Sequence, residues 1–217
     1  EPSLLGHPAE LGDWIDAAAA TLDNRHLLFL FQGLPSGSYV LSAYDVSDIR
    51  TIKELSTISI EENDHISRMT WDENTLYAVT DQGIFYIINL EGDEFKIQSQ
   101  TRLEGSFYAI TIKEDLVALA GTRGLVILSV ADARSPQIIS RTPLPGNGVG
   151  VAFQDSRLIT LVRNRLYSQL LVFNIIDPSL LQNVASVDVM TSDYLSGEDS
   201  YIVLSGSLSG LEVLRSR

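Results

Sequence analysis

The chain has 217 residues, with 15 Lys or Arg against 28 Asp or Glu and a formal charge of −13 at pH 7. A field of that sign disfavours nucleic-acid phosphates and anionic membrane surfaces, which need a basic patch strong enough to overcome it, and the sequence has no such Lys/Arg cluster. Hydrophobic residues make up 45% of the chain, enough for a buried core, while the lack of cysteine excludes disulfides, thiolate metal sites and cysteine nucleophiles. The mostly apolar stretches run under about ten residues, too short to span a bilayer.

Taken in chain order, the predicted elements fall into a repeated phrase. Residues 3–11, SLLGHPAEL, come first as a short extended stretch. AAAATL (17–22) offers two readings. Alanine is the best helix former, but the segment stands before HLLFLFQ (26–32) as VGVAFQ (149–154) stands before RLITLVR (157–163), and that register predicts a strand. YVLSAYDVSD (39–48) and TIKELSTISI (51–60) follow as third and fourth strands. The same order recurs as MTWDEN, TLYAVTD, FYIINLEG and FKIQSQTRLE, then as ITIKED, DLVALAG, LVILSVAD and QIISRTPLP. It recurs again as VAFQDS, RLITLVR, LLVFNIID and LLQNVASVDV, and finally as YLSGED, SYIVLSG and LEVLRSR. Anchored on Leu41, Phe85, Leu125, Leu170 and Leu211, the third strands are spaced by 44, 40, 45 and 41 residues.

Short strands punctuated by Gly, Asp, Asn and Pro, with no helical crossover between them, predict an all-β protein. A four-stranded unit of roughly 40 to 45 residues matches the blade of a β-propeller. The predicted fold is therefore a five-bladed β-propeller of four-stranded antiparallel blades in a single domain, 1–217, with blades at 12–60, 61–104, 105–145, 146–190 and 191–217 plus 3–11. SLLGHPAEL is similar to QIISRTPLP, so the N-terminal strand is expected to complete the last blade. The competing reading is a fragment of a larger propeller.

GLVILSVADARSP (124–136) and YDVSDIRT (44–51) resemble the LVIVD repeat, an apolar strand followed by DVSDP and a further polar strand. Asp45-Val46-Ser47-Asp48 matches the DVSD of that family, whereas Asn89, Ser129 and Asn174 replace its first aspartate. The resemblance implies a propeller of the kind found in bacterial and archaeal surface or secreted proteins, and it brings no catalytic residues with it. A chain starting at Glu1 rather than Met agrees with a removed signal peptide or with an arbitrary cut in a longer sequence; on the first reading an extracellular, periplasmic or cell-surface location is expected.

In such a fold the loops entering the first strand and those joining the second and third strands share one end. They carry the predicted binding face. Asp13, Asp16, Asp64 and Asp193 are expected on one side of it and Arg123, Arg163 and Arg165 on the other, with Trp14, His65, Phe107, Tyr167 and Tyr194 as aromatic or amphipathic groups suited to recognition. The other end collects acidic turn residues and is read as solvent-facing.

No catalytic residue, metal site or cofactor is predicted. His7, His26 and His65 sit on three different elements, no EF-hand loop or GxSxG elbow occurs, and GTRG (121–124) and GNGVG (146–150) read as turns without a helix N-terminus to hold phosphate. The expected function is a non-catalytic interaction or scaffolding module whose partner is another protein, with no nucleic acid and no membrane insertion. The alternative is a small carbohydrate-active propeller, binding or hydrolysing glycosides with two of the four aspartates. A third reading, a subunit held by its propeller edge, needs apolar patches on the outer strands, and their clean alternation predicts few.

Overall fold

A computed structural model describes residues 14–34, 38–60, 66–165, 167–189, 194–198, 201–206 and 210–215. Every regular element among them is a β-strand, so no described helix is long and apolar enough to cross a membrane. The strands form five sheets whose order follows the chain. Sheet 1 holds β1 (Trp14–Leu22), β2 (Arg25–Gly33), β3 (Tyr39–Asp45) and β4 (Lys53–Ile60). Sheet 2 holds β5 (Ile66–Asp72), β6 (Thr75–Thr80), β7 (Ile84–Glu91) and β8 (Glu94–Arg102). Sheet 3 is built from β9 (Phe107–Lys113), β10 (Leu116–Gly121), β11 (Gly124–Ser129) and β12 (Gln137–Thr142). Sheet 4 is built from β13 (Asn147–Gln154), β14 (Arg157–Arg163), β15 (Ser168–Asn174) and β16 (Gln182–Val189). Sheet 5 has β17 (Tyr194–Glu198), β18 (Tyr201–Gly206) and β19 (Gly210–Arg215) among the described residues. The segment 3–11, expected as its fourth strand, lies outside them.

The alanine run is a strand, not a helix: Ala17 to Ala20 pair with Leu30, Phe29, Leu28 and Leu27 of β2. The hairpin that follows turns on Asp23 and Asn24, both left-handed (φ 50 and 62), as a two-residue type I′ loop requires. Glu73, Glu114 and Asp155 take the same conformation in the corresponding hairpins of sheets 2, 3 and 4.

The recurrent aspartate of the phrase has a local job. The Asp48, Asp132 and Asp177 carboxylates accept the N–H two residues on, from Arg50, Arg134 and Ser179 at 2.9, 3.0 and 2.9 Å. Their carbonyls accept the N–H three residues on, from Thr51, Ser135 and Leu180. Each is a turn in which an aspartate side chain bonds backbone just ahead of it. Just before it, Val46, Val130 and Ile175 donate their N–H to the carbonyls of His26, Asp115 and Ser156, and Leu90 does the same to Asn74 in sheet 2, tying the phrase to the start of the second strand.

The chain divides into two compact units, 1–101 and 102–217. In the first, Leu27, Phe29 and Phe31 of β2 and Leu41 and Ala43 of β3 meet Met69, Leu76, Ala78, Tyr86 and Ile88 of sheet 2. Phe29 stacks on Trp71 with ring centroids 4.5 Å apart. Polar bonds cross the same junction: Arg25 pairs with Asp93 at 2.6 Å, and the Phe95 N–H donates to Ser56 Oγ at 3.1 Å.

In the second unit, one apolar cluster joins sheets 3 and 4 and another joins sheets 4 and 5. The glycines of GNGVG lie largely within β13 rather than in a turn, and the reason is the close approach of β13 to the sheets on either side of it. A Cβ on Gly148 would stand 2.7 Å from the Ala120 Cβ, and one on Gly150 would stand 2.6 Å from the Leu195 Cβ. The second correction concerns the outer strands. β16 is exposed along nearly its whole length, including Val184 and Val187, and Ile97 on β8 and Ile138 on β12 are exposed too.

Candidate binding face

The first strand of each four-stranded sheet carries one extra residue near its start: Ile15, Ser67, Tyr108 and Val149 have no partner in the register with the second strand. Bulges of this kind bend a strand and re-aim the side chains beside them. Their recurrence marks one end of every four-stranded sheet as the end where loops depart from regular pairing.

In the first unit the bulge turns Asp16 towards the neighbouring sheet. Its Oδ2 accepts the Met69 N–H at 2.8 Å. Burial pushes the carboxyl above its ordinary value, opposed in part by the Arg68 charge and by the backbone bonds from Met69 and Ala17. Asp16 is thus a tie between β1 and β5 and does not stand out on the rim. Asp13, Asp64, His65 and Asp193, the other groups expected at this end, lie outside the described residues. Trp14 and Tyr194 open β1 and β17, opposite Gln32 and Ser205, and only their backbone is described.

In the second unit the two loop sets do share an end. The Thr122 N–H donates to the Ser106 carbonyl at 2.9 Å, and the Ser106 N–H donates to Thr122 Oγ1 at 3.1 Å, binding the β10–β11 turn to the entry of β9. The GTRG turn needs its last glycine: Gly124 has φ +101, and a Cβ there would sit 2.2 Å from the Thr142 carbonyl oxygen. A Cβ on Gly121 would likewise sit 2.0 Å from the Ser106 carbonyl oxygen, so both glycines are backbone necessities, and Thr122 and Arg123 are the exposed side chains of the turn.

One sheet further on, the β14–β15 loop is held by the Tyr167 carbonyl accepting from the Asn164 N–H at 3.1 Å and by Asn164 Oδ1 accepting from the Tyr167 N–H at 3.2 Å. Arg163, Arg165 and Tyr167 project from it, with Tyr167 45% exposed. Asn164, which shapes this loop, was missed at the sequence level, although Asn at a turn is a legible signal. Phe107 corrects the expectation in the other direction. It is fully buried, because it opens β9 opposite Gly121, where the neighbouring strands close over it.

The described part of this face therefore presents three exposed guanidinium groups and one phenol, on a chain whose overall charge is strongly negative. Arginine presents a planar fork of donors that pairs with carboxylates through two bonds. Among the described residues no group of three His, Cys, Asp or Glu side chains is placed to hold a metal ion. At the opposite end of sheet 1 lies an open groove of about 490 Å³, lined by Ala19, Thr21, His26, Leu28, Ile49 and Ile52. No protein-family model matches the chain, and no curated protein matches it in sequence.

Proposed function

We propose that the chain is a five-bladed β-propeller of the LVIVD-repeat kind, exported or at the cell surface, that acts as a non-catalytic interaction module for an acidic protein partner. The observation that carries the functional part is the β10–β11 and β14–β15 loop pair. Short turns pinned by hydrogen bonds to their own backbone carry Arg123 on one loop and Arg163, Arg165 and Tyr167 on the other, all four exposed. Rigid loops presenting arginine and tyrosine suit recognition of a partner surface, because little side-chain and backbone freedom remains to be lost on binding.

Two features support the ring. Within each unit the first strands of successive sheets run side by side, β1 with β5, then β9 with β13 and β13 with β17, as blades around an axis do. Sheet 5 also leaves apolar surface open. Leu211 and Val213 of β19 are 69% and 54% exposed, on the face opposite Leu214, which packs against sheet 4. Ring closure gives that face a cover.

Small-angle scattering tests the ring: a closed 217-residue domain has a radius of gyration of about 17 Å, and a value above about 20 Å refutes closure. Affinity capture from the native source, with wild-type chain and an R123E/R163E/R165E variant side by side, tests the function. The expected result is an acidic partner retained by the first and lost by the second. Partners indifferent to the three reversals, or turnover of an oligosaccharide by the wild-type chain, overturn the assignment.

A further inference from the structure

Asn147 is the one asparagine of the chain followed by glycine. Packing dictates that neighbour. A Cβ on Gly148 would stand 2.7 Å from the Ala120 Cβ, and one on Gly146, on the other side, would stand 2.7 Å from the Arg163 carbonyl oxygen. The fold thus sets an exposed asparagine between two positions that have no room for a side chain.

Its place in the strand adds to this. Asn147 opens β13, and the bulge at Val149 separates the Asn147 and Gly148 pairs from the regular ladder that begins at Gly150. Terminal pairs cut off by a bulge open at small cost, so the backbone there reaches conformations that the middle of the strand does not. Asn74, Asn89, Asn164 and Asn174 are placed differently. The Oδ1 of each accepts a hydrogen bond, from Thr75 Oγ1 in the first two cases and from the Tyr167 and Ile176 N–H groups in the others. Each is also followed by a residue with a side chain: Thr75, Leu90, Arg165 and Ile175.

We propose that Asn147–Gly148 is a site of spontaneous deamidation, and that the carboxylate formed there stands opposite Arg163 and weakens the hold of this face on acidic partners. The step needs only water. The Gly148 backbone nitrogen attacks Asn147 Cγ, the bond from Cγ to Nδ2 breaks, and ammonia leaves with the Gly148 amide proton, closing a five-membered succinimide. Water then opens the ring at one of its two carbonyls and leaves an aspartate or an isoaspartate at position 147. Glycine favours the attack because no side chain crowds its nitrogen and its backbone turns freely. A neutral amide is exchanged for a carboxylate.

Asn147 and Arg163 are directly opposed in the β13–β14 pair. Opposed side chains share a face with their Cβ atoms about 4.5 to 5.5 Å apart, within reach of a bond between carboxylate and guanidinium. The new charge therefore competes with a partner's carboxylates for one arginine of the face. This consequence rests on the acidic-partner reading, whereas the chemistry of the site does not.

The site is tested by incubating the full wild-type chain and an Asn147→Gln variant at pH 7, folded and urea-unfolded, and following each asparagine by peptide mass and isoaspartyl methyltransferase labelling. In the folded wild-type chain position 147 is expected to lose its amide ahead of every other asparagine, while the variant keeps its own, because glutamine closes the larger ring more slowly. Retention of the Asn147 amide in the folded chain, or its loss only in the unfolded one, overturns the site. The consequence is read as retention on immobilised polyglutamate by wild type, Asn147→Asp, Arg163→Gln and the double variant. Asn147→Asp is expected to weaken binding about two- to fivefold, and distinctly less once Arg163 is replaced. An equal effect in both backgrounds overturns the opposition to Arg163. A wild-type chain that does not bind polyglutamate overturns the acidic-partner reading and this consequence with it, and leaves the modification site to stand or fall on the mass measurement.

Discussion

Replacing Asp16 separates two effects that the fold superimposes on one side chain. Its Oδ2 accepts the N–H of Met69, a residue only 8% exposed, so truncation to alanine leaves a buried donor unpaired. That costs about 1 to 3 kcal/mol. Asp16→Asn keeps an acceptor oxygen at the same place and removes the charge that burial penalises. The sign follows from the direction of the shift. Because burial raises the folded-state value above 3.8, the native chain holds the proton more tightly than the unfolded one. Stability from this group is fully present below the unfolded value and is lost as pH rises through the raised folded value. At pH 7 the asparagine variant is therefore at least as stable as wild type and the alanine variant is clearly weaker. Below pH 3.8 any advantage of asparagine over wild type disappears. Urea unfolding at pH 3.5 and pH 7 measures both differences. Equal destabilisation by asparagine and alanine at pH 7, or an asparagine advantage that grows on acidification, refutes the reasoning.

Gly124→Ala combines a left-handed backbone with a contact of 2.2 Å to the Thr142 oxygen, and it is expected to cost about 2 kcal/mol or more in thermal unfolding. Gly92→Ala is the matched control, since φ is +64 but nothing lies within 4 Å, and the cost falls to about 1 kcal/mol. Equal losses at the two positions would show that the close approach contributes nothing. Trp71→Ala removes the ring stacked on Phe29 in the first unit. A loss of about 3 kcal/mol is expected in denaturant unfolding, and a loss under about 1 kcal/mol would show that the sheet 1–sheet 2 junction does not depend on that stack.

The sheets were legible in the sequence because their signals are local. Period-two alternation marks Leu27, Phe29 and Phe31 as one face of β2, and the Asp48, Asp132 and Asp177 turns punctuate the third strands wherever they recur. Exposure of the outer strands was not legible, because residues at the equivalent bulges Leu55, Ile139 and Val184 differ in it. Val184 holds the same repeat place as Leu55 and Ile139, yet those two are packed and it is not. No property of QNVASVDV taken alone carries that difference.

The binding face was legible to the extent that its residues lie beyond the bulges. Arg123, Arg163, Arg165 and Tyr167 sit on turns and tips, where position in the chain alone sends a polar side chain outward. Asp16 and Phe107 were read as loop residues, but β1 begins at Trp14 and β9 at Phe107, so both belong to strands, beside the bulges at Ile15 and Tyr108. A carboxylate read as a rim group thus faces the Met69 amide, and an aromatic read as a contact residue is core. The same argument gives the bulges their use. Each holds the regular, apolar part of a first strand in register while freeing the end of that strand to take its own direction, so the loops of this face vary in sequence without disturbing the repeat that supports them.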